Sequence, residues 1–361
     1  ETIVTDHHEP GNELPKAIAV VDAKRKDNTY KCRNLAGVGV VFKLIQAISM
    51  KLELKEKEYL KYLDIVCVGT ISDIVPLTDE NRVIVKLGLK LVEQTKNLGL
   101  RSIIQVAGYS KLDSTTISFG VAPRINACGR MGHQEEALKL FLSKDIKEVN
   151  ELTQKLNEYN KLRQDTEKNI YLEAIEQIEK NGLANKNTIV VMGKGWHHGV
   201  IGIVSSKITE LYFKPSILLC EDEDCGKGSG RSIPGFDLYE TLTECKHLID
   251  RFGGHSMAVG INIKKDKLEE FKEEFEKIAK DKNIQEIIPI LNIDAQIRLD
   301  EINRDMVESL KELEPYGEAN KMPLFAIKNL KIDSIRALSE GKHLKLTVKE
   351  GNTVVNAIGF N

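Results

Sequence analysis

The chain has no long apolar run: nothing approaches the ~20 residues that a bilayer-spanning helix needs. Its opening, ETIVTDHHEP, has neither a basic start nor an apolar signal core, so the expected location is the cytoplasm, with no membrane partner. Cysteine is sparse and unpatterned. Cys32, Cys67, Cys128, Cys220, Cys225 and Cys245 include no C-x-x-C pair and fall in packed-looking segments, which points to reduced thiols rather than a zinc or disulfide framework. Excess positive charge is also missing. With 52 Lys+Arg against 54 Asp+Glu the net charge is −2, so any polyanionic partner would have to be held by a local site. There is no P-loop, no internal repeat and no low-complexity linker. An initiator Met is absent, and Asn361 falls inside an alternating apolar segment, so a piece of a longer protein is expected.

What is present is an ordinary globular composition, 41% hydrophobic and 29% charged. At ~150 residues per domain, 361 residues make two to three domains. Up to about Ser143, short apolar runs such as AIAVVDA (17–23) alternate with helical stretches such as GVGVVFKLIQAIS (37–49), the rhythm of an α/β layer with a mostly parallel sheet. From Asp145 to Asn181 there is no Gly or Pro, and apolar residues recur at three- and four-residue steps. The spacing predicts one helix of ~55 Å that joins two lobes. A second α/β unit follows: strands at 187–193 and 215–221 about a helix from Val200 to Phe213, closing after the amphipathic KLEEFKEEFEKIAK. From Ile290 onward the pattern is period-2 with turn signals, the texture of a small antiparallel barrel of OB type. The expected domains are 1–143, a connecting helix 144–183, 184–282 and 286–361.

Six clusters carry chemistry-bearing residues. Asp6-His7-His8 follows the β-prone run at Thr2–Thr5, where a strand end would project side chains into a ligand crevice. Imidazole with carboxylate suits manganese or another divalent first-row metal; taken alone, a solvated polar loop is the stronger reading. In GTISDIVPL (69–77) Asp73 interrupts an apolar stretch, and either binds metal or caps a turn before Pro76. VAPRINACGRMG (121–132) places Arg124, Asn126 and Arg130 after an expected strand, with donors suited to phosphate oxygens. GKGSGRS (226–232) reads as a glycine-rich phosphate cradle completed by Ser229 and Arg231, or as a flexible hairpin turn. FGGHSMAVG (252–260) sets Gly253 and Gly254 before His255, able to donate to a phosphate or simply occupying a Gly-Gly turn. Trp196, the only tryptophan, sits beside His197 and His198 at a helix start, as a stacking platform or beside a phosphate-meeting helix end.

In this order and at these separations, the motifs DHH, SDIVPL, PRINACGRMG, GWHHGVIGIV, GKGSGRSI, FGGH and ELEPYGEANKMPLF (312–325) resemble the DHH phosphoesterase superfamily and, within it, the RecJ single-strand-specific exonucleases. The resemblance runs from Asp6 to the end of the chain. It implies an α/β DHH domain, a long connecting helix, a DHH-associated domain across a cleft and an OB domain. It implies a two-metal Mn2+ or Mg2+ phosphodiesterase that attacks single-stranded DNA from its 5′ end in repair and recombination. By the same resemblance His7 and Asp73 are metal ligands, and Asp6 lies at the metals or orients their ligands. His8 contacts the scissile phosphate, and Asn126 and Arg130 hold it. Ser229 and Arg231 anchor a 5′ phosphate or the adjacent backbone, with Gly253, Gly254 and His255 lining the path. A single-strand-binding protein and a helicase are the implied protein partners. DHH enzymes also use aspartates from two earlier motifs, so this chain is expected to be a fragment with an incomplete metal site and weak or no activity. Two other readings stay open: a nanoRNase-like enzyme for very short oligonucleotides, and a non-catalytic single-strand-binding module.

Overall fold

The structure, a computed structural model, describes residues 1–11 and 13–360; Asn361, where the alternating segment ends, lies outside them. One unit comprises Glu1–Ala122 with Leu291–Asn361, and a second comprises Pro123–Ile290.

In the first unit, β1 (Ile3–Asp6) pairs in parallel with β2 (Ala19–Asp22), with Asp6 opposite Asp22. α1 (Gly37–Lys51) follows, then α2 (Leu63–Ser72) and α3 (Asp79–Val92). α2 has no distinct polar face, and most of its side chains are buried, Asp64 among them with Thr95 as hydrogen-bond donor. It carries buried Val66 and Cys67, and Gly88 of α3 approaches so closely that an added Cβ would meet Cys67 Cβ at 2.4 Å. The expected strand before PRINACGRMG is not a strand. Ile117–Val121 is a π-helical turn running into α4 (Ala122–Arg130). A short apolar run does not separate strand from buried helix, and Pro123, with no N–H to donate, is tolerated in the first turn of α4.

In the second unit, α5 (Ile146–Lys180) is the long helix, capped where Asp145 accepts from Lys147 N–H and followed by Gly182 at φ 64°. The sheet is built from β3 (Ile189–Lys194), β4 (Ser216–Glu221), β5 (Cys225–Arg231), β6 (Arg251–His255) and β7 (Ala258–Lys264), in the order β3-β4-β5-β7-β6. α6 (His198–Tyr212) links the parallel pair β3 and β4, and α7 (Leu268–Asp281) follows β7. β4 is buried on both faces, hence its continuous apolar run. Ile217 and Leu219 pack with Phe271 and Phe275 on one side, and Leu218 packs with Val204 and Ile208 of α6 on the other.

GKGSGRS, read from the sequence as a cradle loop or turn, is β5, a central strand of this sheet. Its glycines alternate with side-chain-bearing residues. A Cβ at Gly228 would stand 2.5 Å from Leu219 Cδ2, and one at Gly230 2.8 Å from Val259 Cγ2. Neighbouring strands therefore fill the glycine side, while Ser229 and Arg231 face α6, where a Cβ at Gly202 would lie 3.1 Å from both side chains.

The remaining part of the first unit pairs β8 (Ala295–Gln296) with β9 (Phe325–Ala326). It then forms an antiparallel meander of β10 (Lys331–Leu338), β11 (His343–Glu350) and β12 (Thr353–Phe360). A bulge between Ile332 and Ser334 bends β10. No helix among the described residues is long and apolar enough to cross a membrane, and all six cysteines are free thiols.

Candidate functional site

In the first unit, the end of β1 and the end of α2 meet. β1 delivers Asp6 and, just past its last hydrogen bonds, His7 and His8. Donor atoms of all three lie within 4.8 Å of one another. Asp6 Oδ1 accepts from the N–H of His7 at 2.7 Å and of His8 at 3.2 Å, and contacts His8 Nδ1 at 2.8 Å. Asp73, directly after α2, brings its Oδ2 to 3.4 Å from His7 Nδ1. The His7 ring fits because residue 37 is glycine: a Cβ there would stand 3.2 Å from His7 Cδ2. His7 is 21% exposed and Asp73 40%. An imidazole and two carboxylates, half-buried and open to water on one side, form a mixed nitrogen and oxygen donor set that fits Mn2+ or Mg2+. Asp22, opposite Asp6, is buried and caps Lys24 N–H instead.

The bonds from His8 and from the His7 N–H hold the Asp6 carboxyl well below its usual range, at about 2. Because the folded value is depressed, whatever stability this pairing adds is fully present above the ordinary value near 3.9 and is lost as pH falls through about 2. Carboxyl-detected NMR should give Asp6 a midpoint near that lower value; a midpoint close to 4 would remove the Asp6–His8 pairing.

In the second unit Ser229, Arg231, Gly253 and His255 lie on one face of the sheet. The register puts Ser229, Gly260 and Gly253 in one row across β5, β7 and β6, and Arg231, Ala258 and His255 in the next. Residues directly opposite share a face, so Ser229 and Arg231 border a floor almost bare of side chains, with His255 two strands, ~10 Å, away. A Cβ at Gly253 would touch nothing within 4 Å. Gly254 has a different reason to be glycine: its φ is 147°, and a Cβ would strike the Ala258 carbonyl.

Arg231 Nη1 donates to Ser229 Oγ and to the Gly230 carbonyl, both at 2.8 Å, and Arg130 Nη1 donates to the Gly199 carbonyl at 3.2 Å. Neither guanidinium has a carboxylate partner among the described residues. Lost hydration, then the charge of Arg130, lowers the Arg231 pKa; lost hydration, then Arg163, lowers that of Arg130. Two neighbouring cations with no carboxylate in direct contact, Glu167 acting on Arg130 only from a distance, have donors suited to an oxyanion. Asn126 is exposed on α4, and Arg124 is engaged with Asn157 at 3.0 Å.

Sequence reasoning missed the support behind these arginines. Buried Glu167 on α5 holds Arg163 Nη1 and Lys207 Nζ, each at 2.5 Å, and Asn160 accepts from Arg163 at 2.7 Å. The spacing of Asn160, Arg163 and Glu167 by three and four residues is the one signal the sequence offered. Trp196 is not a stacking platform. It is 6% exposed in the core beside Val191 and Val200, and its indole N–H donates to Glu173 Oε2 at 2.7 Å.

A parallel strand pair ending in Asp-His-His, with a partner aspartate after a buried helix, defines a DHH-type domain. The chain accordingly matches the DHH family, N-terminal domain, over residues 1–70, the DHHA1 domain over 185–281 and the RecJ OB domain over 293–361. It is 38% identical over its whole length to the single-stranded-DNA-specific exonuclease RecJ of Bacillus subtilis, covering 46% of that protein. To the Thermus thermophilus RecJ it is 34% identical over 97% of its length, covering 50% of the relative. Among solved structures it is similar to Thermus thermophilus RecJ in complex with Mn2+, with TM-score 0.86 and 32% identity, covering 98% of this chain and 52% of that one. It is also similar to an exonuclease RecJ bound to manganese, with TM-score 0.66 and 34% identity, covering 79% of this chain and 71% of that one. The chain belongs to the RecJ family. It spans about half the length of these curated relatives.

Proposed function

We propose that the chain is the nuclease part of a RecJ-type enzyme that removes nucleotides from single-stranded DNA, starting at the 5′ end, in repair and recombination. The observation that carries the reading is the approach of His7 to Asp73 at 3.4 Å, which unites two distant motifs in one donor set. Bound Mn2+ or Mg2+ would supply an activated water and charge neutralisation at the phosphodiester. His7 and Asp73 would hold the metal, while Asp6 fixes the His8 ring through its carboxylate and leaves it free to meet a phosphate oxygen. Asn126 and Arg130 bind phosphate. Ser229 and Arg231 anchor the 5′ phosphate, and the floor at Gly253 and Gly260 lets a backbone lie close, with His255 at its border; Gly254 faces the other side of the sheet and serves the strand's geometry instead. The β10–β12 sheet, whose one face carries Arg336, Lys345 and Lys349, tracks the strand. The domain limits 1–143, 144–183, 184–282 and 286–361, a cytoplasmic setting, and work beside a single-strand-binding protein and a helicase belong to the same reading.

The test is Mn2+-dependent digestion of single strands labelled separately at each end, with Arg231→Ala beside the unaltered chain. Cleavage by this chain is expected to be weak, with the 5′ label leaving first, and the substitution is expected to weaken binding of 5′-phosphorylated strands about tenfold, with little effect on internal binding. Release from the 3′ end would overturn the polarity. Equal loss on both kinds of strand would remove the anchor. Preference for dinucleotides would favour the nanoRNase-like reading, and binding that persists in chelator without any cleavage would favour a binding module.

A further inference from the structure

The loop that follows Asp73 is pinned by a distant segment of the same unit. Directly after Asp73, Ile74 takes φ 55°, a left-handed conformation that a β-branched residue adopts only under constraint. Three residues on, Leu77 N–H donates to the Glu318 carbonyl at 2.7 Å. The buried Leu77 side chain lies against Gly317, where an added Cβ would meet Leu77 Cδ1 at 2.6 Å. Arg82 of α3 donates to the carbonyls of Leu313 at 2.8 Å, Glu314 at 3.2 Å and Pro315 at 3.5 Å, and Ser114 Oγ donates to that of Tyr316 at 2.6 Å. Each carbonyl from Leu313 to Tyr316, and that of Glu318, therefore takes its donor from Leu77, Arg82 or Ser114. Asn320 braces the segment from within by donating to the carbonyls of Leu313 and Pro315. From the other side, Asn81 donates to the Pro76 carbonyl at 3.0 Å.

We propose that Leu313–Asn320 is a positioning strap for Asp73. Docked, it fixes the Pro76–Leu77 backbone, holds Ile74 in its unfavoured conformation, and so sets the Asp73 carboxylate beside His7. The strap rests on the reading of His7 and Asp73 as metal ligands. It goes beyond that reading by making a segment of the C-terminal region, remote in sequence, a determinant of metal affinity. Its members touch no ligand; they act through the backbone on either side of Ile74.

The experiment is Mn2+ binding to this chain, read by electron paramagnetic resonance of the free ion, with circular dichroism as the check on folding. Arg82→Ala is expected to stay folded and bind Mn2+ about tenfold more weakly, the scale on which supports behind metal ligands act. Adding Ile74→Gly to Arg82→Ala should restore most of the affinity, because glycine takes the left-handed conformation without the strap. Ile74→Gly alone should bind as the native chain does. A folded Arg82→Ala chain with native affinity overturns the proposal, as does a loss that Ile74→Gly leaves unrepaired, which would mark Arg82 as merely structural. If Arg82→Ala does not fold, Ser114→Ala, which removes one donor to the strap, decides by the same two comparisons. Asp73→Ala separates the levels: if it binds Mn2+ as well as the native chain, the ligand reading fails, whereas if it binds weakly while Arg82→Ala binds normally, only the strap fails.

Discussion

An Asp73→Ala chain is expected to lose about 100-fold or more in Mn2+ affinity while keeping its fold. Supports behind ligands are commonly worth 10- to 100-fold, and Asp73 is read as a direct ligand. Its side chain is 40% exposed and ends a helix that is buried through other residues, so the change in stability should stay within about 0.5 kcal/mol. Titration calorimetry with Mn2+, paired with a thermal melt, separates the two effects. Unchanged affinity would strike Asp73 from the donor set, and a large fall in melting temperature would mark the carboxylate as structural. His7→Ala should reproduce the loss of affinity, because the imidazole and the carboxylate face one another at 3.4 Å.

The second large effect concerns stability. Gly228→Val should destabilise the second unit by about 2–3 kcal/mol, since the new Cβ has no room. It would stand 2.5 Å from Leu219 Cδ2 and 2.6 Å from the Leu218 carbonyl oxygen, and the latter, being backbone of the neighbouring strand, cannot swing aside. Urea unfolding should show the midpoint falling with little change in slope. Gly253→Ala is the contrast: with nothing within 4 Å of the new methyl, stability should hold within about 0.5 kcal/mol. Equal stability for both variants would contradict the packing role assigned to the glycines of β5.

Much of this was legible because the strongest signals are local. The α5 helix announced itself through an unbroken apolar period between Asp145 and Asn181, and Ile146–Lys180 followed. Residue type alone favoured a polar loop for Asp6-His7-His8 and left Asp73 open between ligand and turn cap; only the order of the motifs pointed to their juxtaposition, and the fold does bring His7 and Asp73 to 3.4 Å. β5 was misread because glycine is scarce in strands. Its two-residue alternation, with Gly226, Gly228 and Gly230 on one side and Lys227, Ser229 and Arg231 on the other, was present all along. Weighing that period above composition would have found the strand. The run Ile117–Val121 failed for the opposite reason, since a short apolar stretch carries no period long enough to separate strand from helix. Lys207 behind Glu167, and the strap on Asp73, join residues far apart in the chain, and no local pattern encodes such pairs.

The alternation in β5 has a practical side. Of the six thiols, Cys225 is the one with partial exposure, and by the two-residue period it shares a strand face with Ser229 and Arg231. A maleimide dye would therefore react there first, with no engineered cysteine, and would sit ~13 Å along the strand from Ser229. Its brightness would report in real time on whatever comes to lie along that face, turning a native side chain into an optical probe of the sheet surface.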